Sequence, residues 1–456
     1  MTRLLPALLL LLTAVAPAHA APRAMTLAQA LQAAARRNVQ LDALRLEVDR
    51  AEAQLGRAWS LLLPGAQGGL QYVRADHPDE VDFGGATIVV RRQDDLSGSL
   101  SVNLPLIRAS SWSAISLARQ GTHLARLTVA EGKQQLLLQV AQSYHVARMS
   151  QALVQLRQEQ IRSATHHLEV ATRKHEAGNG LRLDVIRAET DLAQAQQELL
   201  SARLSLETAC DTLGLLTGVG GRPMPHAERR SPARVRSGAR HTTPRETPEP
   251  TRPMLDEGQL LQRSRSRLDL QISRANLELA RRQVRSSWSA LLPALGVGWQ
   301  ASFQITDPSD FGDQDRTRWS TALTLSVPLL DAVTYHDIRQ RRIERRQAEL
   351  RLRDAELNAG KAVRQARRDY LAAQASERIA RRQVELAAEG LKLAQSAYEA
   401  GAGSSLEVTD ARRTATSAET TRATRQLETR IALLALQRAS GEDLARVYGP
   451  AGGQNE

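Results

Sequence analysis

Glu176-Ala177-Gly178-Asn179-Gly180-Leu181-Arg182-Leu183-Asp184-Val185 returns 223 positions later as Glu399-Ala400-Gly401-Ala402-Gly403-Ser404-Ser405-Leu406-Glu407-Val408. Outward from this pair, the same offset carries Ala188 onto Ala411 and Thr217-Gly218 onto Ser440-Gly441. It also carries Val102-Asn103-Leu104-Pro105-Leu106 onto Leu325-Ser326-Val327-Pro328-Leu329. Nearer the N-terminus, Trp59-Ser60-Leu61-Leu62-Leu63-Pro64 matches Trp288-Ser289-Ala290-Leu291-Leu292-Pro293 at an offset of 229. The change of offset falls in one loop, because the segment between Tyr72 and Leu96 is longer than its counterpart around 304–318. Self-similarity sustained over such a span means two copies of one structural unit. We place the first at 21–218 and the second at 254–441, with a flexible tail at 442–456.

Each copy has the same order of elements. A helical stretch (27–59; 255–288) ends at Leu-Pro, two short alternating segments follow, then a very long helical stretch (109–176; 332–399), a Gly-containing break and a further helix (182–214; 405–438). Proline bounds these elements where its missing N–H is tolerable. At 1.5 Å per residue the long helices would measure about 100 Å and the shorter ones about half that, so two short helices stacked end to end match one long one. Such a ratio suits a cylinder of helices and not a compact enzyme.

Composition agrees. The 456 residues are 42% hydrophobic, 24% charged and only 3% aromatic, and contain a single cysteine. Ala, Leu, Gln, Arg and Glu abound, which is the composition of long helices. One cysteine excludes a disulfide framework and clustered zinc or iron–sulfur sites. The net charge of +12 raises nucleic-acid binding as a possibility. However, much of the excess lies in 219–253, which holds eight Arg and seven Pro in 35 residues, and on helices where Arg alternates with Glu. We read 219–253 as an exposed linker with at most local structure and the rest as a solvated surface, with no nucleic-acid partner.

Residues 4–16, Leu-Leu-Pro-Ala-Leu-Leu-Leu-Leu-Leu-Thr-Ala-Val-Ala, follow Arg3 and precede Ala18-His19-Ala20. This is the pattern of a secretory signal peptide over 1–20. No cysteine adjoins the cleavage point for lipidation, and no later run of apolar residues is long enough for a spanning helix. Only a β-barrel could then cross a bilayer.

The segments between the helices fit one. Leu295, Val297, Trp299, Ala301 and Phe303 alternate with small or polar residues, as do Trp319, Leu323, Leu325 and Val327, and Leu100, Val102, Leu104 and Leu106. Tyr72 lies in a weaker match at 66–74, whose pattern Arg74 breaks. Tyr72, Trp299, Phe303 and Trp319 would supply an aromatic belt. The pattern alone equally allows a soluble sheet capping a helix bundle. Four strands per chain are too few to close, so a spanning barrel requires an oligomer.

These features resemble the TolC-like outer-membrane efflux protein family. The resemblance rests on Leu62-Leu63-Pro64, Leu104-Pro105-Leu106, the run from Glu176 to Glu189, Val327-Pro328-Leu329-Leu330-Asp331 and the run from Tyr398 to Ala411, and it covers nearly the whole chain. It implies a mainly α fold with a small β part: a homotrimer with a 12-stranded transmembrane β-barrel in the outer membrane, continued by a 12-helix α-barrel in the periplasm. It also implies a passive exit duct without cofactor, docked on a periplasmic adaptor protein and an inner-membrane pump. Gly178, Gly180, Leu181, Gly401, Gly403 and Ser404 would form the tip turns that meet the adaptor, the four glycines supplying φ > 0. Asp184, Tyr398, Glu407 and Asp410 fall where the best-known member narrows its pore entrance, and an acidic ring there would concentrate cations. Gly403 departs from that member, which has an arginine latch there, so Arg182 or Arg412 would hold the closed state. First-turn carboxylates at a helix N-terminus account for Asp184 and Glu407 as well.

No arrangement of catalytic residues emerges. His166, His167 and His175 near Glu169 and Glu176 lack metal-ligand spacing and read as a solvated helix face. Gly296-Val297-Gly298 lacks a third glycine, and no Gly-x-Ser-x-Gly or phosphate loop occurs. Cys210 reads as a small buried apolar group. The second class of function left open is a periplasmic coiled-coil interaction protein without a membrane barrel.

Overall fold

A computed structural model describes residues 24–91, 93–226, 256–306 and 316–448; the signal segment 1–20 and most of the linker lie outside them. In chain order the elements are β1 (Ala24–Met25), α1 (Leu27–Arg37), α2 (Val39–Ser60), β2 (Gly65–Arg74), β3 (Asp79–Phe83), β4 (Ala86–Arg91), β5 (Asp94–Arg108), α3 (Ala109–Glu176), α4 (Arg182–Thr217) and β6 (Met224–Pro225). There follow α5 (Glu257–Ser264), α6 (Leu268–Ser289), β7 (Ala294–Gln304), β8 (Thr317–Ser326), α7 (Ala332–Glu399), α8 (Ser405–Ala439) and α9 (Leu444–Tyr448). None of the described helices is long and apolar enough to cross a membrane.

The chain divides into two compact units. One is built from the described residues up to Asp42, Gly132–Arg267 and those from Ala359 on; the other is Ala43–Glu131 with Leu268–Asn358.

The second unit carries an antiparallel sheet in the order β2-β5-β7-β8. Register settles its faces. Leu70 lies opposite Gly98, Gly98 opposite Phe303, and Phe303 opposite Thr317; Leu100 pairs with Ala301 and Ala301 with Trp319. Since side chains alternate along a strand, Leu70, Tyr72, Leu100, Val102, Trp299, Phe303, Trp319, Leu323 and Leu325 share one face. Gln71, Ser99, Ser101, Asn103, Gln300, Ser302, Ser320 and Thr324 share the other. Leu70 is 79% and Trp319 70% exposed, so the apolar face is uncovered in the single chain. The insertion between Tyr72 and Leu96 forms the β3–β4 hairpin, turned by Gly84 and Gly85 at φ 62° and 92°. Two consecutive positive φ values are what a tight hairpin turn needs.

The first unit shows why the stretches 27–59 and 255–288 are each broken where a continuous helix was expected. Asn38 ends α1 with an extended backbone, its side-chain amide donates to the Leu216 carbonyl at 2.9 Å, and its Oδ1 accepts the Leu41 N–H at 3.1 Å. It therefore caps α2 while tethering α4. The matching residue of the second copy, Arg267, donates from Nη1 to the Ala439 carbonyl at 3.3 Å beside the α5–α6 break. Gly218, at φ 64°, ends α4 so close to this junction that a Cβ would meet the Arg37 carbonyl oxygen at 2.4 Å.

Two expectations need correction. The linker is not exposed throughout its described part: residues 220–222 are exposed, but Met224–Pro225 pairs in parallel with Ala24–Met25, and Pro223 and Pro225 are fully buried. Nor is the stretch after 441 wholly a flexible tail. Leu444 opens α9, is completely buried, and donates its N–H to Gln134 Oε1 at 3.3 Å. In both cases a few apolar or proline side chains are buried, which local composition does not reveal.

Cores are thin and rich in small residues. One cluster joins Leu260, Val363, Ala366, Leu436 and Ala439; another joins Ala171, Val185 and Ala188 beside the Gly-containing breaks. Alanine at these positions lets helices approach closely. Cys210 is buried as expected.

Candidate functional site at the helix-turn tip

Two turns, α3 to α4 and α7 to α8, close the first unit at one end of each helix pair, and both are built alike. Gly178 (φ 76°) donates to the His175 carbonyl at 3.0 Å, and Gly401 (φ 79°) to the Tyr398 carbonyl at 3.1 Å. These are the left-handed residues that commonly end helices. Gly180 and Gly403 were expected to share that conformation and do not. They are small for lack of room instead: a Cβ on Gly180 would lie 2.9 Å from the His175 nitrogen, and one on Gly403 3.1 Å from Ala397 Cβ. Leu181 is exposed and offers no side-chain cap, whereas Ser404 accepts the Glu407 N–H at 3.3 Å and donates its own N–H to Glu407 Oε2 at 3.1 Å. Glu407 thus completes a capping box, as a first-turn carboxylate should.

The four residues expected at a constriction are not equivalent. Glu407 and Asp410 are exposed one turn apart on α8. Asp184 is mostly covered and lies 3.8 Å from Arg187. Tyr398 is only 7% exposed and points into its own chain. Its ring centroid is 5.6 Å from that of His167, and Lys174 Nζ sits 3.8 Å from the same centroid while also donating to the Tyr398 carbonyl. Burial, and then the Asp184 carboxylate, raise the Tyr398 phenol above its ordinary value.

His167 corrects the expectation of a solvated histidine face. It is buried, its Nε2 lies 3.4 Å from Ser405 Oγ, and its pKa is lowered to about 4 by burial first and by Arg412 second. Arg412 is buried too, and its Nε and Nη1 have no hydrogen-bond partner among the described residues. Asp191 of α4 accepts from Thr409 at 3.0 Å and from Arg413 at 3.2 Å. Arg182, the other candidate for a latch, is exposed. Side chains from α3, α4, α7 and α8 therefore meet just behind the turns. His167 and Lys174 are seven residues apart, two turns along one helix face, so both lie against the Tyr398 ring.

This arrangement offers no nucleophile with a base and no set of metal ligands; it fastens two helix pairs and exposes two turns. A family model described as outer membrane efflux protein matches residues 30–219 and 259–442. The chain belongs to the outer membrane efflux protein family. This outer membrane efflux protein is 26% identical over 247 residues to the alkaline protease secretion protein AprF of Pseudomonas aeruginosa, an alignment covering 52% of this chain and 47% of AprF. It is 25% identical over 177 residues to the fusaric acid resistance protein FusA of Burkholderia cepacia, covering 39% and 33%. The matched stretches thus span half or less of these relatives' lengths. Among solved structures, CusC is similar with a TM-score of 0.73 at 19% identity, covering 91% of this chain and 92% of that one. The fold is accordingly that of the outer-membrane channels, and the family places the protein in the outer membrane with a periplasmic extension.

Proposed function

We propose that this outer membrane efflux protein is a passive exit duct that three identical copies form together. The observation that carries the reading is the sheet: four strands with one apolar exposed face, one small polar face and open edges at β2 and β8. An open edge is not tolerated in lipid, so the edges must meet other copies. Three copies give twelve strands, with the apolar face to the lipid and the polar face to water. Tyr72, Trp299, Phe303 and Trp319 sit on the apolar face and serve as its aromatic residues, Tyr72, Phe303 and Trp319 at the end away from the helices. The exposed apolar face also speaks against a coiled-coil protein without a barrel, whose sheet would cover its bundle.

Substrates enter from an inner-membrane pump through a periplasmic adaptor, which docks at Gly178, Gly180, Leu181, Gly401, Gly403 and Ser404. Glu407 and Asp410, repeated by three copies, form an acidic mouth, with Tyr398 and Asp184 behind them fastening the turns. The relatives' names, alkaline protease secretion and fusaric acid resistance, fit either a polypeptide or a small organic acid as cargo.

The test is a planar-bilayer recording of the mature protein. Stepwise conductance with cation preference is expected, and Glu407→Gln with Asp410→Asn should lower that preference. Glutamine at 407 keeps the capping box, so lost folding does not confuse the result. Unchanged selectivity would remove the acidic mouth, and a water-soluble protein without conductance would remove the duct.

A further inference from the structure

The second unit carries a duplicated aromatic and arginine group that the aromatic residues of the sheet do not include. Trp59 lies on α2 six residues before β2, its ring centroid 6.4 Å from that of Trp112 on α3 in an edge-on arrangement, with Arg119 Cζ 5.2 Å from the Trp59 centroid. The second copy repeats it at the same offsets: Trp288 lies six residues before β7, Arg342 Cζ is 5.5 Å from its centroid, and Tyr335 stands where Trp112 does. All four aromatic side chains are 41–58% exposed. Among the described residues neither Arg119 nor Arg342 has a carboxylate partner, and both are exposed.

Two further observations fix the occupant. The group is continuous with the apolar face of the sheet: Ile107 pairs with Leu295 on that face, is exposed, and precedes Trp112 by five residues. The surroundings are strongly basic, since 53–64, 105–119, 281–293 and 328–342 together hold nine arginines and two aspartates. Tryptophan and tyrosine favour the membrane–water boundary, where an apolar ring and a polar edge are both satisfied. An arginine held over such a ring keeps its donors for an anion at that depth.

We propose that Trp59, Trp112 and Arg119, and Trp288, Tyr335 and Arg342, form two seats per chain for the phosphate-bearing headgroup of an anionic phospholipid in the leaflet on the helix side of the sheet. The helices, not the strands, then carry the lower aromatic belt. This rests on the membrane duct reading above.

Full-length mature protein in vesicles of phosphatidylethanolamine and phosphatidylglycerol tests it by tryptophan quenching. Trp299→Phe with Trp319→Phe leaves only the three seat tryptophans; Trp59→Phe with Trp112→Phe, Trp288→Phe and Trp319→Phe leaves only Trp299 in the middle of β7. A headgroup nitroxide lipid should quench the first set more than a deep acyl-chain nitroxide does, and the acyl probe should quench the second. Quenching of the first set by aqueous iodide alone, or by nothing, while Trp299 still meets the acyl probe, would overturn the seats and leave the duct standing. No lipid quenching of either set would overturn both. Arg119→Gln and Arg342→Gln should each weaken phosphatidylglycerol binding in detergent by roughly fivefold, the share of one arginine at an anionic surface; unchanged affinity would overturn the role of the arginines.

Discussion

His167 is uncharged at neutral pH, because burial and the Arg412 guanidinium both oppose a second positive charge behind the tip turns. Asp191 and Asp184 pull the other way without prevailing, and His166 adds slightly to the repulsion. With a native pKa of about 4 against an ordinary 6.5, the native state binds fewer protons than the unfolded one. Its stability contribution is complete above pH 6.5 and is lost as pH falls from 6.5 towards 4. Acidification should therefore loosen the packing of α3 on α7 and α8, read as faster hydrogen exchange over 164–176 and 405–412. His167→Asn should remove most of that acid response; an equal response in the variant would contradict the assignment. The burial of His167 and Tyr398 was not legible in the sequence, since it arises from four helices meeting across more than 200 residues of chain. The exposed acidic pair at Glu407 and Asp410 was legible, because a three-residue spacing on a helix is a local fact.

At the scale of elements, the duplicated junction between α1, α2 and α4 bears on stability. Asn38 satisfies both the Leu216 carbonyl and the Leu41 N–H from a buried position. Asn38→Ala leaves both without that partner and should destabilise the first unit by about 2 kcal/mol. Thermal unfolding should show the loss, together with faster exchange over 38–42, and an unchanged midpoint would contradict the tether. The long helices α3 and α7 were readable to the residue, because Pro105 and Pro328 precede them and the glycine-containing turns follow. The break at Asn38 was not, because a lone asparagine in a helical pattern looks tolerable until its partner on α4 is known. The β3–β4 hairpin lies in what composition reads as a loop insertion, and Gly84-Gly85, free to take positive φ, is its only local signal.

For the whole molecule, the decisive property is a sheet that cannot be complete in one chain. Strand alternation gave its two faces in advance, and the observed register aligns them across all four strands. What alternation could not supply was the neighbour at each edge, which is a matter of assembly. The most direct test is imaging of the detergent-extracted mature protein. The duct account predicts a hollow three-fold particle whose helical shaft is about 100 Å long, the length of 68 helical residues. A detergent-independent monomer or dimer would contradict it, since the apolar face of the sheet would then never meet lipid.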